Sequence, residues 1–128
     1  YIKTCEITIF PDASGNSRKS NNASTTDLQL LTQAGFSVSA PDANPPVKDR
    51  INSMNAMFCN ADGVRRYRVN TDKCPVYSEC LEQQVWNNGE PDKKQGKDHP
   101  NDAGGYFIHR IYPVVKPVIG KFEGMSML

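Results

Sequence analysis

"TCEITIFPD", residues 4–12, decides the fold. Isoleucine and threonine crowd its first half, and Pro11 and Asp12 end it. β-Branched side chains lose rotamer freedom in a helix and pack well on a pleated surface, so the stretch predicts a short strand over 4–10. "FSVSA", residues 36–40, gives the same signal. Between the two, "STTDLQLLTQAG" has a Ser/Thr start, Asp27 in the first turn and apolar Leu28, Leu31 and Ala34, with Gly35 as the stop. That is a short helix capped at both ends. A strand, a helix and a strand at these lengths make an α/β unit with parallel strands.

The rest of the chain extends this unit. "PDANPP" is a rigid turn leading into "VKDRINSMNAMF", where Val47, Ile51, Met54 and Phe58 share one helix face. "NADG" breaks that helix. "VRRYRVN", residues 64–70, alternates and predicts an exposed edge strand with a basic surface. "CPVYSECLEQQVW" predicts a helix with Pro75 in its first turn and a stripe of Tyr77, Leu81 and Val85. A last helix is predicted over 102–112, with Ala103, Phe107 and Ile111 on one face. Residues 13–24 and 87–101 read as polar loops carrying Arg18 and Lys19, and Lys93, Lys94 and Lys97. The domain is expected to span 1–113, followed by a weakly structured tail over 114–128. Three short strands are few for an independent sheet.

A chain of 128 residues suits one modest core. Its net charge of +1 gives no global sign of a nucleic-acid binder, so such a role must rest on local patches. No run of apolar residues is long enough to span a membrane. Cys5, Cys59, Cys74 and Cys80 lack zinc-knuckle spacing and read as reduced, mostly buried thiols. Trp86 and Tyr77 read as packing residues rather than base stackers.

"GKDHPNDAGGY", residues 96–106, sets Asp98, His99 and Asp102 close together at the start of a helix. Ligands of an open α/β sheet sit beyond the carboxyl ends of its strands, and Asp12 stands just there. Three converging carboxylates would suit magnesium or manganese, which take oxygen ligands and retain waters. The same residues also serve as turn formers and helix caps, and the pattern alone leaves both readings open.

"ITIFPDASG", "NPPVKDRINSMNAMF" and "KDHPNDAGGY", in this order, resemble the C-terminal nuclease domain of the large terminase subunit of tailed bacteriophages. "CPVYSECLEQQVWNNGEPDK" resembles that family's segment between its second and third acids. The resemblance runs from about residue 5 to 112. It implies a partial ribonuclease-H-like fold, with parallel strands, flanking helices and the N-terminal antiparallel meander missing. It implies a two-metal endonuclease that cuts double-stranded viral DNA during packaging, using Mg²⁺ or Mn²⁺. Carried over by residue, Asp12 matches the second catalytic acid, Asp102 the third, and Asp98 an accessory acid, with His99 orienting a carboxylate or a water.

Arg18, Lys19, Lys93, Lys94 and Lys97 flank these acids and are the candidate DNA contacts. The implied partners are double-stranded DNA, the small terminase subunit and the portal, in the cytoplasm of a bacterial host. The family's first acid lies on an earlier strand; no strand-borne Asp precedes Asp12 here, and Glu6 is a poor substitute. The chain therefore reads as a fragment or the product of a truncated prophage gene. A second reading follows, that of an inactive DNA- or protein-interaction module. An exposed sheet edge would also allow self-association.

Overall fold

The computed structural model describes residues 5–16, 18–19 and 22–114. Strand β1 (Thr8–Ile9) pairs in parallel with β4 (Ser37–Val38), with Thr8 opposite Ser37 and Ile9 opposite Val38. The Ser37 N–H donates to Ile7 O at 3.0 Å and the Ser39 N–H to Ile9 O at 2.9 Å. The crossover consists of a 3₁₀ turn (Ala13–Asn16), an irregular antiparallel pair of β2 (Arg18–Lys19) and β3 (Asn22–Thr26), and helix α1 (Asp27–Gln33). A capping box starts α1. Thr26 Oγ1 accepts from the Gln29 N–H at 3.2 Å, and Gln29 Oε1 accepts from the Thr26 N–H at 2.8 Å. Gly35, at φ +93°, ends the turn after α1 in the left-handed region. The predicted polar loop over 13–24 is thus largely a 3₁₀ turn and a hairpin.

Three longer helices form the second layer. Helices α2 (Val47–Phe58) and α3 (Pro75–Gln83) both pack on α4 (Asp98–Ile111). Their shared core is Met54, Met57 and the fully buried Ile108, ringed by Phe58, Tyr67, Leu81 and Phe107. Phe10 carries the β1 end of the sheet onto this core, edge-on to Phe107 at 5.2 Å. The paired glycines of α4 permit the close packing. A Cβ on Gly105 would stand 2.8 Å from Arg50 Cγ and 3.1 Å from Met54 Sδ on α2. A Cβ on Gly104 would collide with the Tyr77 ring on α3.

Several expectations are corrected. Residues 64–70 form no strand: the Arg66 and Tyr67 N–H groups both donate to Met57 O, at 2.9 Å, closing the end of α2. Tyr67 then lies edge-on to Phe58 at 5.1 Å. The alternation of "VRRYRVN" therefore reflects the half-buried Tyr67 and Val69 between exposed neighbours. Helix α4 begins at Asp98, four residues before the predicted start at 102, because Pro100 is tolerated in a first turn whose N–H groups lack intrahelical partners. Helix α3 stops at Gln83, so Val85 is not part of its stripe.

Trp86, expected to pack, is 55% exposed and opens a small hairpin of β5 (Trp86–Asn87) and β6 (Glu90–Pro91). Asn88 and Gly89, at φ 52° and 82°, make its turn, the Asn-Gly signature of type I′. Of the cysteines only Cys80 is buried; Cys5, Cys59 and Cys74 are exposed, and all four are free thiols. Val114 N–H donates to Ser53 Oγ at 3.0 Å, and the remainder of the expected tail lies outside the described residues. No helix among the described residues is long and apolar enough to cross a membrane.

Candidate active site

The carboxyl end of β1 runs through Phe10 and Pro11 to Asp12, and α4 passes beside it. Phe10, Pro11 and Asp12 line an open cleft of about 380 Å³ with His99, Asp102 and Tyr106. Proline ends the strand and aims the chain out of the sheet plane, leaving Asp12 at the rim. Asn44 Oδ1 accepts from the Ala13 N–H at 2.6 Å and fixes the backbone after Asp12. The Ser14 hydroxyl donates to Asp12 Oδ1 at 2.7 Å, which orients the carboxylate.

Across the cleft, Asp102 forms an ion pair with Arg50 of α2, with Nη1 at 2.9 Å from Oδ1. The two partners differ in setting: the Arg50 side chain is 5% exposed and that of Asp102 31%. Arg50 Nη1 also lies 3.4 Å from the Asp102 carbonyl oxygen. The guanidinium carbon sits 4.4 Å from the centre of the Tyr106 ring, a cation–π contact. Burial pushes the Tyr106 hydroxyl above its usual range; Arg50 opposes this, and the Asp102 and Asp12 charges add to it. Tyr106 thus lines the cleft together with both carboxylates.

Asp98 does not join that cleft. It is 3% exposed and faces a second cavity of about 160 Å³ between α2, α3 and α4, walled by Met54, Phe58, Leu81 and Trp86, which Arg50 and Asp102 also line. Among the described residues its Oδ1 has no hydrogen-bond partner, and neither has Arg50 Nε or Asn101 Oδ1, which line the same cavity. The cause lies in helix geometry: Asp98 is one turn before Asp102, where α3 covers α4. The expected meeting of three carboxylates is therefore not seen. Among the described residues no group of three or more His, Cys, Asp and Glu side chains is gathered to hold a metal. Asp12 and Asp102, one on each side of an open cleft with His99 nearby, offer oxygen donors suited to a hydrated Mg²⁺ or Mn²⁺ that keeps most of its waters.

The basic residues divide. Lys97 Nζ donates to Glu79 Oε1 at 2.9 Å and Gln83 Oε1 at 2.7 Å, so it fastens α4 to α3 instead of reaching outward. Lys93 and Lys94 are exposed on the loop before α4. Arg18 and Lys19 form β2, and their side chains lie outside the described residues. Sequence reasoning missed Arg50 as a site residue, because a cation in the first turn of a helix looks like an ordinary surface charge. It missed Tyr106 because it treated that ring as a motif letter. The signal available was the adjoining Gly105, which lets the buried Arg50 stem approach α4.

A parallel strand pair backed by helices, with carboxylates on a cleft at its carboxyl edge, is the class of the ribonuclease-H-like α/β domains. A model of the terminase RNaseH-like domain matches residues 4–110, and the chain belongs to that family. Membership places it among the nuclease-type domains of DNA-packaging terminases. No curated protein and no solved structure matches the chain.

Proposed function

We propose that this domain hydrolyses phosphodiester bonds of double-stranded DNA during genome packaging, with Asp12 and Asp102 as the ligands of Mg²⁺ or Mn²⁺. The observation that carries this reading is that Asp12, past the end of β1, and Asp102, on α4, open onto one cleft. A divalent ion bound there supplies an activated water and neutralises charge on the leaving oxygen. The chain's own residues do the rest. Ser14 holds one Asp12 oxygen and leaves the other available. Arg50 offsets part of the Asp102 charge from below, so the cleft tolerates both a carboxylate and an approaching phosphate. Tyr106 presents an O–H donor, and exposed His99 sits where it can orient a water or a carboxylate. Asp98 does not line this cleft and is not a ligand in this reading. Lys93 and Lys94, with Arg18 and Lys19, seat phosphates without reading sequence. The small terminase subunit and the portal are the proposed assembly partners, in the cytoplasm of a bacterial host.

A second reading, an inactive interaction module, is favoured by two observations: Asp102 already has a cationic partner, and among the described residues no third carboxylate joins the cleft. Mn²⁺-dependent nicking of supercoiled plasmid separates the two. The nuclease reading expects cleavage by the wild-type chain that disappears in both Asp12→Ala and Asp102→Ala. Cleavage that survives either substitution overturns the assignment of that residue. A folded wild-type chain that cuts nothing establishes the module instead.

A further inference from the structure

A third cavity, of about 250 Å³, lies on the other side of Tyr106 and Pro11 from the carboxylate cleft, both residues lining the two. Its floor is the turn after β4, with Ser39 and Pro41, and its wall is the last turns of α4, with His109 and Arg110. The charged and titratable groups lining it are His109, Arg110 and Tyr106, and no carboxylate does so among the described residues. Ser39 is bonded to Ile9 of β1, so this cavity and the Asp12 cleft share one edge of the parallel pair.

The two basic side chains are held from behind. Arg110 Nε donates to Ser39 Oγ at 3.1 Å, which leaves both terminal nitrogens of the fork without an intramolecular bond among the described residues. His109 Nδ1 lies 3.1 Å from Ser53 Oγ, a fully buried hydroxyl. Ser53 donates its single proton to Asp49 O at 2.9 Å and accepts from Val114 N–H at 3.0 Å. A hydroxyl has one donor and two acceptor sites, so its remaining site is an acceptor. With Nδ1 turned to Ser53, the opposite ring edge of His109, Nε2, is the one left for the cavity.

We propose that this cavity is a phosphate subsite, where Arg110 and His109 grip a backbone phosphate of the DNA strand that neighbours the one at Asp12 and Asp102. The inference rests on the nuclease reading and adds residues to it. Arg110 supplies the planar fork that phosphate accepts in bidentate fashion. His109 contacts the anion through Nε2–H, and the doubly protonated ring adds its positive charge to that contact. Binding at the subsite then takes up a proton. Tyr106 stands between subsite and cleft and spaces the two phosphates.

The test is fluorescence anisotropy of the full chain with a labelled duplex in EDTA, across salt concentrations and from about pH 8 to about pH 6. Arg110→Gln should weaken binding by about tenfold and lower the salt slope by about one. Arg110 is exposed, so the variant folds, and a matching melting curve checks it. His109→Gln should abolish the tightening that the wild-type chain gains towards low pH. Wild-type affinity, slope and pH response in both variants overturn the subsite, and if the same wild-type chain nicks plasmid, the nuclease reading stands without it. A wild-type chain that neither binds the duplex nor cuts overturns both.

Discussion

Replacing Arg50 with methionine tests how the candidate site is built. Arg50 is 4% exposed, and its guanidinium joins the Asp102 carboxylate at 2.9 Å to the Tyr106 ring at 4.4 Å. Methionine keeps most of the apolar stem against Gly105 and Met54, so the loss is mainly polar. A hydrogen bond to a charged group contributes about 1.5–3 kcal/mol, and a partly desolvated cation–π contact about 1 kcal/mol. Stranding the partner of a fully buried pair costs about 3–5 kcal/mol. Asp102 retains 31% exposure, so water hydrates it and the lower figures apply. The expected loss is about 2–3 kcal/mol, or roughly 7–11 °C in Tm for a domain of this size. The same change strips Asp102 of its counter-charge, so Mn²⁺ should bind more tightly and restore part of the melting temperature. Calorimetric melts of both chains, with and without Mn²⁺, read both effects. An unchanged Tm would refute the structural role of the pair, and a variant that Mn²⁺ no longer stabilises would refute Asp102 as a ligand.

Three other outcomes are expected. Gly105→Ala should lower stability by about 1–3 kcal/mol in a denaturant titration despite alanine's better helix propensity, because the new Cβ would overlap Arg50. Burial, together with the hydrogen bond and charge of Tyr67, raises the Tyr77 phenol well above its usual value of 10.0. The proton is held more tightly in the folded state, so that stability is fully present below about pH 10 and is lost as the pH climbs further; Tyr77→Phe should flatten this alkaline decline in melting temperature. Asp98→Asn should leave Mn²⁺-dependent cleavage in place, since Asp98 opens onto the α2–α3 cavity; loss of cleavage in a folded variant would return Asp98 to the ligand set.

The sequence was most legible where local rules and tertiary packing agree. Helix α2 and the capped ends of α1 fall where periodicity and cap chemistry place them, within a few residues, but the buried face of α2 is Arg50, Ser53, Met54 and Met57, of which only Met54 belongs to the expected stripe. The strand signals at 4–10 and 36–40 correctly located a parallel pair, although only Thr8–Ile9 and Ser37–Val38 form the ladder. Reading failed where a side chain's neighbour lies far along the chain. Alternation in "VRRYRVN" cannot tell a sheet edge from a segment that closes a helix, since both expose every second residue. Asp98 and Asp102 share one helix face, and nothing local reveals that α3 covers the first and leaves the second open. The role of Arg50 depends on a glycine more than fifty positions away. Asp12 stands past the end of β1, where polar ligands meet an α/β sheet, while Asp102, expected at a helix start, lies a turn inside α4.

The core where α2 meets α4 has a chemical consequence of its own. Two of its three buried side chains, Met54 and Met57, carry thioethers. Such sulfurs fill irregular gaps well, but one added oxygen makes them polar and chiral. Met54 Sδ lies where a Cβ on Gly105 would be only 3.1 Å away, leaving little space for a sulfoxide. Each transient opening of the α2–α4 joint exposes these atoms to peroxide. Oxidation there would wedge apart the two helices that hold Arg50 against Asp102, so oxidative damage would reach the carboxylate cleft without touching a residue that lines it.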